Sequence, residues 1–284
     1  MVDPMLAREY SPDAARFPAL VQPKLDGVRM LVSIDAEGRV GALRSRADKS
    51  FDHLRDAIFP FPSTRAATGP FPALVLDGEL YAHGLGFQAI VSAVKNRKET
   101  TKVQLLRYHV YDVICCQQSD GYAERHALLR RFVEAHPAWR LELVPAERAR
   151  SPADVERLMA RWHDRGGYEG VMVRDPGAPY EPGKRSATLL KYKRFDDAEF
   201  EIVAVEEAAG KDAGTAVFVC RTRATPPHTF RARPLGTLAE RRRMLRGRSA
   251  LVGKPLTVRF QGLTDNGIPR FPIGVAVRDY EGGG

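Results

Sequence analysis

Lys24-Leu25-Asp26-Gly27-Val28-Arg29 sets a lysine, a carboxylate and an arginine around a glycine that permits close backbone approach or a sharp turn. A free lysine, with a pKa of about 10.4, is protonated at neutral pH and a poor nucleophile. Burial or a neighbouring cation such as Arg29 would favour the neutral amine and open a covalent route. KxDGxR alone also fits a charged surface turn, so the chemistry depends on the motifs downstream of it. These are Ser45-Arg46, Asp77-Gly78-Glu79, Tyr111-Asp112, Glu169-Gly170-Val171-Met172-Val173 and Leu190-Lys191-Tyr192-Lys193. Lys191 and Lys193, two apart on a strand, would point to one face.

These residues need a scaffold. Residues 18–34 and 39–44 read as a hairpin turning at Asp35-Ala36-Glu37-Gly38. A proline-rich loop spans 59–72, and a short strand at 73–76 runs into Asp77-Gly78-Glu79-Leu80-Tyr81. Residues 104–116 form an apolar strand, and 122–135 an amphipathic helix. A second helix, 151–165, opens with a Ser151/Pro152/Asp154 cap, and strands follow at 170–173 and 189–193. Beyond Asp197 the texture changes to short strands (199–207, 214–223, 228–233, 255–261, 273–278) and one arginine-rich helix, 237–246. That pattern predicts a small five-stranded barrel of the OB type. The expected division is 1–196 and 197–284.

The chain has 284 residues and a net charge of +9. No run approaches the roughly 18 apolar residues that span a bilayer. The amino terminus lacks the basic and apolar regions of a secretory signal, so the expected location is cytoplasmic. Cys115, Cys116 and Cys220 form no CxxC pair, and the vicinal pair reads as strand packing. No zinc-ligand spacing is visible. His83 and His109 have no partner at useful spacing and read as structural, as does Asp112. Lys95, Arg97, Lys98 and Lys102 make a basic loop. Between Asp212 and Asp265 lie eleven Lys/Arg, from Arg221 to Arg259, against the single acid Glu240. Such a segregated segment has the charge pattern of a polyanion-binding surface.

Taken in order, the constellation closely resembles the covalent nucleotidyltransferase superfamily, and within it the minimal ATP-dependent DNA ligases. Pro4-Met5-Leu6-Ala7, Phe87-Gln88, Gly183-Lys184-Arg185-Ser186 and Pro269-Arg270-Phe271-Pro272 extend the likeness over nearly all of the chain. The resemblance implies an α+β fold: an ATP-grasp-like adenylation domain of antiparallel sheets with flanking helices, followed by an OB-fold β-barrel. It implies nick sealing in three phosphoryl or nucleotidyl transfers, where positioning, cations and metal dominate. Lys24 would carry AMP, and Asp26 would orient or activate the 3′-hydroxyl. Lys191 and Lys193 would reach the α-phosphate. Glu79 would accept from the AMP ribose, Tyr111 would stack on adenine, and Gln22 would read its amino edge. Arg29 and Arg46 would hold the nick 5′-phosphate, bidentate contacts that suit a guanidinium. Glu169 would bind Mg²⁺ or Mn²⁺. Arg270 and Arg278 would orient pyrophosphate, although the RxDK ending of larger ligases is absent. The expected partner is nicked duplex DNA, engaged by a monomer without a membrane. The short Ala208–Gly214 hairpin suggests that the duplex is not fully encircled. RNA ligases and capping-type enzymes share most of these motifs, and a non-catalytic nick-binding protein would need only part of them. The missing nicotinamide domain and zinc module weigh against an NAD-dependent ligase.

Overall fold

The computed structural model describes residues 2–60, 71–96, 100–115 and 120–279. Most of the proline-rich loop, Arg97, Lys98 and Cys116 lie outside the described residues. The chain divides into two compact units, Met1–Tyr192 and Lys193–Gly284.

The first unit holds two five-stranded sheets. Its strands are β1 (Leu6–Glu9), β2 (Ala19–Lys24), β3 (Val28–Ile34), β4 (Val40–Ser45), β5 (Leu74–Tyr81), β6 (Arg107–Ile114), β7 (Leu141–Leu143), β8 (Glu147–Ala149), β9 (Gly170–Arg174) and β10 (Arg185–Lys193). One sheet has the order β1-β10-β9-β2-β8, the other β4-β3-β5-β6-β7. Among the described residues three helices of eight residues or more flank them: α1 (Phe87–Lys95), α2 (Tyr122–Ala135) and α3 (Pro152–Met159).

The run read as one long hairpin arm is two strands in different sheets. β2 ends at Lys24, and after Leu25-Asp26-Gly27 the chain enters β3 of the other sheet. Only β3 and β4 form the hairpin. The sheets are also mixed, where antiparallel pairing was expected. β1 runs parallel to β10, and β6 runs parallel to β7 through the crossover helix α2.

Alternation explains what each sheet face does. On β2 and β9, Val21, Val171 and Val173 are buried with Val155, Leu158 and Met159 of α3. Gln22 and Lys24 take the opposite face. On β5, Leu76 and Leu80 are buried with Ile90 and Val94 of α1 and Leu129 and Phe132 of α2. Asp77, Glu79 and Tyr81 share its other face. Each such aliphatic or aromatic side chain contributes about 1.5–3 kcal/mol by leaving water. The helices therefore cover the backs of the sheets, and the opposite faces carry the polar side chains.

The second unit is a closed barrel of β11 (Asp196–Glu207), β12 (Ala216–Arg221), β13 (Thr229–Pro234), β14 (Pro255–Phe260) and β15 (Ile273–Val277). β11 is long enough to pair with both β12 and β14, and β13 pairs parallel with β15. Ile202, Phe218, Cys220, Ala232, Leu256 and Val258 fill the interior. Burial pushes the Cys220 thiol up to about 12, which leaves it inert as a nucleophile. Helix α4 (Leu238–Arg246) opens with a Thr237/Glu240 capping box.

The linear charge segregation largely dissolves in this unit. Arg221 faces Glu201, Arg231 faces Glu206, Lys254 faces Asp279, and Arg259 makes a bidentate pair with Asp197. Arg233 and Arg241 converge on Asp212, and Arg241 is only 1% exposed. Most of these acids lie outside the basic segment in sequence, and strand pairing brings them beside it. Arg242, Arg243, Arg246 and Arg248 remain exposed along α4 and the turn after it.

Candidate active site

The β2–β9 register sets Lys24 opposite Gly170 and brings in Glu169 from 145 residues away. The Glu169 amide donates to the Lys24 carbonyl at 3.0 Å, and the Lys24 ammonium is ion-paired with the Glu169 carboxylate. The two side chains are 22% and 12% exposed, so the pair is shielded but reachable. The structure thus gives the Lys24 amine an anionic partner where the sequence pointed to Arg29.

Arg29 instead faces Asp77, donating through Nε at 2.8 Å and Nη2 at 2.5 Å. Asp77 is 1% exposed and also accepts the Tyr180 hydroxyl at 2.7 Å. Burial opposes the charge of Arg29, but Asp77 more than offsets it and the guanidinium pKa moves up. Two of its five N–H donors face Asp77, and three remain for another acceptor.

Glu79 lies directly opposite Arg29 in the β3–β5 register. Burial pushes its carboxyl up to about 7, with Glu169 and Asp77 acting in the same direction and Lys24 and Arg29 opposing. Gly27 makes this approach possible. A Cβ there would sit 2.4 Å from the Leu80 carbonyl oxygen and 2.8 Å from Glu79 Cγ. Close packing, rather than a positive φ, is the reason for glycine at that turn. Asp26 in the same turn is partly exposed, and its charge helps raise the Tyr81 hydroxyl to about 12, after burial.

Tyr111 sits in an irregularity of the β5–β6 pairing, where Asp77 faces Asp112 but Gly78 faces Val110. Such a bulge re-aims a side chain. The guanidinium carbons of Arg29 and Arg174 lie 5.8 Å and 5.7 Å from the Tyr111 ring centre. Lys24, Glu169, Glu79, Arg29 and Tyr111 thereby belong to one neighbourhood.

Lys191 pairs with Glu9 at 2.8 Å. Arg46 is exposed in the turn after β4. Lys193 opens the second unit, where it donates to Gln261 at 3.0 Å and lies 5.9 Å from the Phe271 ring. Arg270 lies 5.7 Å from the same ring, and Arg278 donates to Thr257 at 2.8 Å. Gln22 is held inside the fold. It is 1% exposed, its Nε2 donates to the Val144 carbonyl at 3.2 Å, and its Oε1 accepts from Arg174 at 2.8 Å. Its amide is thus engaged by Val144 and Arg174 inside the fold.

Sequence reasoning did not single out Arg174 and Arg125, which pair with Asp112, or Tyr180, which donates to Asp77. The signal was slight: Arg174 directly follows the Glu169–Val173 run, on the strand face that also carries Gln22 and Lys24. Among the described residues no cluster of three or more His, Cys, Asp or Glu could hold a metal unaided. Glu169 still suits Mg²⁺, which typically takes one or two carboxylates and completes its shell with phosphate oxygens and water. No described helix is long and apolar enough to cross a membrane.

Two mixed sheets meeting over a lysine–glutamate pair, followed by a closed five-stranded barrel, define a nucleotidyltransferase domain joined to an OB-fold domain. Residues 4–193 match the ATP dependent DNA ligase domain and 212–278 the DNA ligase OB-like domain, and the chain belongs to the ATP-dependent DNA ligase family. A probable DNA ligase of Streptomyces griseus is 30% identical over 93% of this chain. A DNA ligase of African swine fever virus is 28% identical over 98% of it. The chain spans 49% of the Streptomyces relative and 69% of the viral one. A solved Lig E DNA ligase is 26% identical with a TM-score of 0.75, covering 98% of this chain and 100% of that one.

Proposed function

We propose that this chain is an ATP-dependent DNA ligase that seals 5′-phosphate/3′-hydroxyl nicks in duplex DNA through AMP bound covalently to Lys24. The observation that carries this reading is the shielded Lys24–Glu169 pair with Glu79 beside it. A nucleophilic lysine must lose a proton, and the Glu169 carboxylate is the acceptor in contact with it. The Lys24 amine then attacks the α-phosphorus of ATP and expels pyrophosphate. AMP passes to the 5′-phosphate of the nick, and the 3′-hydroxyl displaces it to form the phosphodiester. Glu79 accepts from the AMP ribose, and Tyr111 offers its ring to adenine. The remaining N–H donors of Arg29, with Arg46, hold the 5′-phosphate, and Asp26 orients the 3′-hydroxyl. Lys191 and Lys193 serve the α-phosphate, and Arg270 and Arg278 the pyrophosphate. Bound Mg²⁺, held by Glu169 with phosphate oxygens and water, would neutralise phosphate charge. Residues 1–196 carry the nucleotidyl transfer and 197–284 form the OB part of an intracellular monomer.

Labelled ATP with Mg²⁺, followed by a chase with nicked duplex, tests the reading. A protein-bound AMP label discharged into sealed DNA supports it. A label from GTP alone, discharge only by nicked RNA, or no label at all would overturn it.

The exposed arginines of α4 supply backbone contacts that carry no sequence information. Changing Arg242, Arg243 and Arg246 together to glutamine is expected to flatten the slope of log binding constant against log salt by roughly 2–3. Binding to nicked duplex across a salt series checks this, with ATP labelling as the folding control. An unchanged slope would remove α4 from the DNA interface.

A further inference from the structure

Beneath the Lys24 neighbourhood lies a charged network that the reaction scheme does not use. Arg174, Asp112 and Gln22 are 5%, 1% and 1% exposed. Arg174 donates through Nη1 to Asp112 at 2.6 Å and through Nε to Gln22 at 2.8 Å. Its guanidinium lies 4.3 Å from the Tyr122 ring centre, and the Tyr122 hydroxyl donates to the Tyr111 carbonyl at 3.1 Å. Asp112 has a second cation in Arg125, at 2.8 Å and 3.2 Å. Arg125 turns Nη1 toward the segment before α2 and the loop after β9, donating to the carbonyls of Asp120 and Ala178 at 2.7 Å and 2.9 Å.

A buried charge network is weak evidence for stability, because apolar residues of similar volume often fold as well. What this one does is join strands. Gln22 is on β2, two residues before Lys24 and on the same face. Asp112 is on β6, next to Tyr111. Arg174 on β9 bonds to both and also lies beside the Tyr111 ring. The planar fork of arginine suits this role, since Nε and Nη1 address two acceptors at once.

We propose that Arg174 is a positioning residue that fixes the strand carrying Lys24 against the bulge carrying Tyr111, and thereby sets the geometry in which ATP is bound. The proposal rests on the reading of Lys24 as the adenylylated residue and of Tyr111 as the adenine platform. Arg174 touches neither ATP nor DNA in this scheme. Its effect falls on the step in which ATP must be gripped, and not on sealing of a nick that already carries AMP.

The experiment measures the rate of lysine adenylylation against ATP concentration, and the sealing of pre-adenylylated nicked duplex, for wild type, R174M, R174K and R125M. R174M leaves Asp112 paired with Arg125, so no buried carboxylate is orphaned. It is expected to raise KM for ATP about ten-fold or more, the scale of a lost charge-assisted hydrogen bond. Its kcat for adenylylation and its rate on pre-adenylylated DNA stay within about three-fold of wild type. R174K keeps a cation for Asp112 but lacks the fork, and gives an intermediate KM. R125M removes the other buried partner of Asp112, and is expected to lower the melting temperature while KM for ATP holds. If R125M and R174M move KM alike, or if R174M lowers sealing of pre-adenylylated DNA in step with KM, Arg174 is structural and the proposal falls. A wild-type protein that takes no label from ATP overturns the functional reading itself, a result distinct from either of these.

Discussion

Lys24→Ala is expected to abolish covalent labelling by ATP, a loss of roughly 10⁴-fold or more because the nucleophile itself is gone. The same variant is expected to seal nicked duplex that already carries a 5′-adenylate. In that step the attacking group is the 3′-hydroxyl of the DNA, and the lysine amine forms no bond. The surviving rate is reduced, because Glu169 loses the ammonium it is ion-paired with. Lys24→Arg sharpens the test. A guanidinium keeps the positive charge beside Glu169 but never deprotonates at working pH, so labelling stays absent while sealing of pre-adenylylated DNA recovers. Parallel assays with labelled ATP and with pre-adenylylated nicked duplex separate the two roles. Label retained in Lys24→Ala would remove this lysine as the acceptor.

The order of short motifs was legible because each lies on a contiguous stretch, and the barrel was legible because its strands are short and evenly punctuated. The features hidden from sequence come from pairing across long separations. Leu25-Asp26-Gly27 is too short to announce that the chain leaves one sheet for another, yet that crossing sets Lys24 and Arg29 on different sheets. The irregular pairing at Tyr111 has no signature in a run that reads as an ordinary apolar strand. Gln22 looked available because it precedes the lysine by two residues, but its partners are Val144 and Arg174, remote in sequence. Charge misled most. The basic segment looked unopposed only because Asp197, Glu201, Glu206 and Asp279 reach it through the barrel's own strand pairs and termini. The exposed remainder is concentrated on α4, a much smaller surface than the linear count implied.

Glu79→Gln is expected to make the protein more stable and less able to bind ATP, and the two effects separate with pH. The native carboxyl sits at about 7 against an ordinary value of 4.5, chiefly through burial. Between those values the native state holds a proton that the unfolded chain has lost, so stability falls as pH rises through the window. Above about pH 7 both states are ionised, and the fold carries the full cost of a charge in a poorly solvated place. Glutamine removes that cost. The variant should exceed wild type at pH 8 by up to about 3 kcal/mol, and by less than about 1 kcal/mol at pH 5. Denaturant unfolding at the two pH values measures the gap, and a variant less stable than wild type at pH 8 would refute the argument. The price appears in nucleotide binding, where the ionised carboxylate is the stronger acceptor for a ribose hydroxyl and its loss raises KM for ATP by roughly 10-fold or more. With Glu79 as the proposed ribose acceptor, ATP binding by the wild type is expected to tighten as pH rises through about 7, which a KM series across that range checks. On the proposed reading, a group held where its charge is unwelcome to the fold is the one whose charge the nucleotide would use.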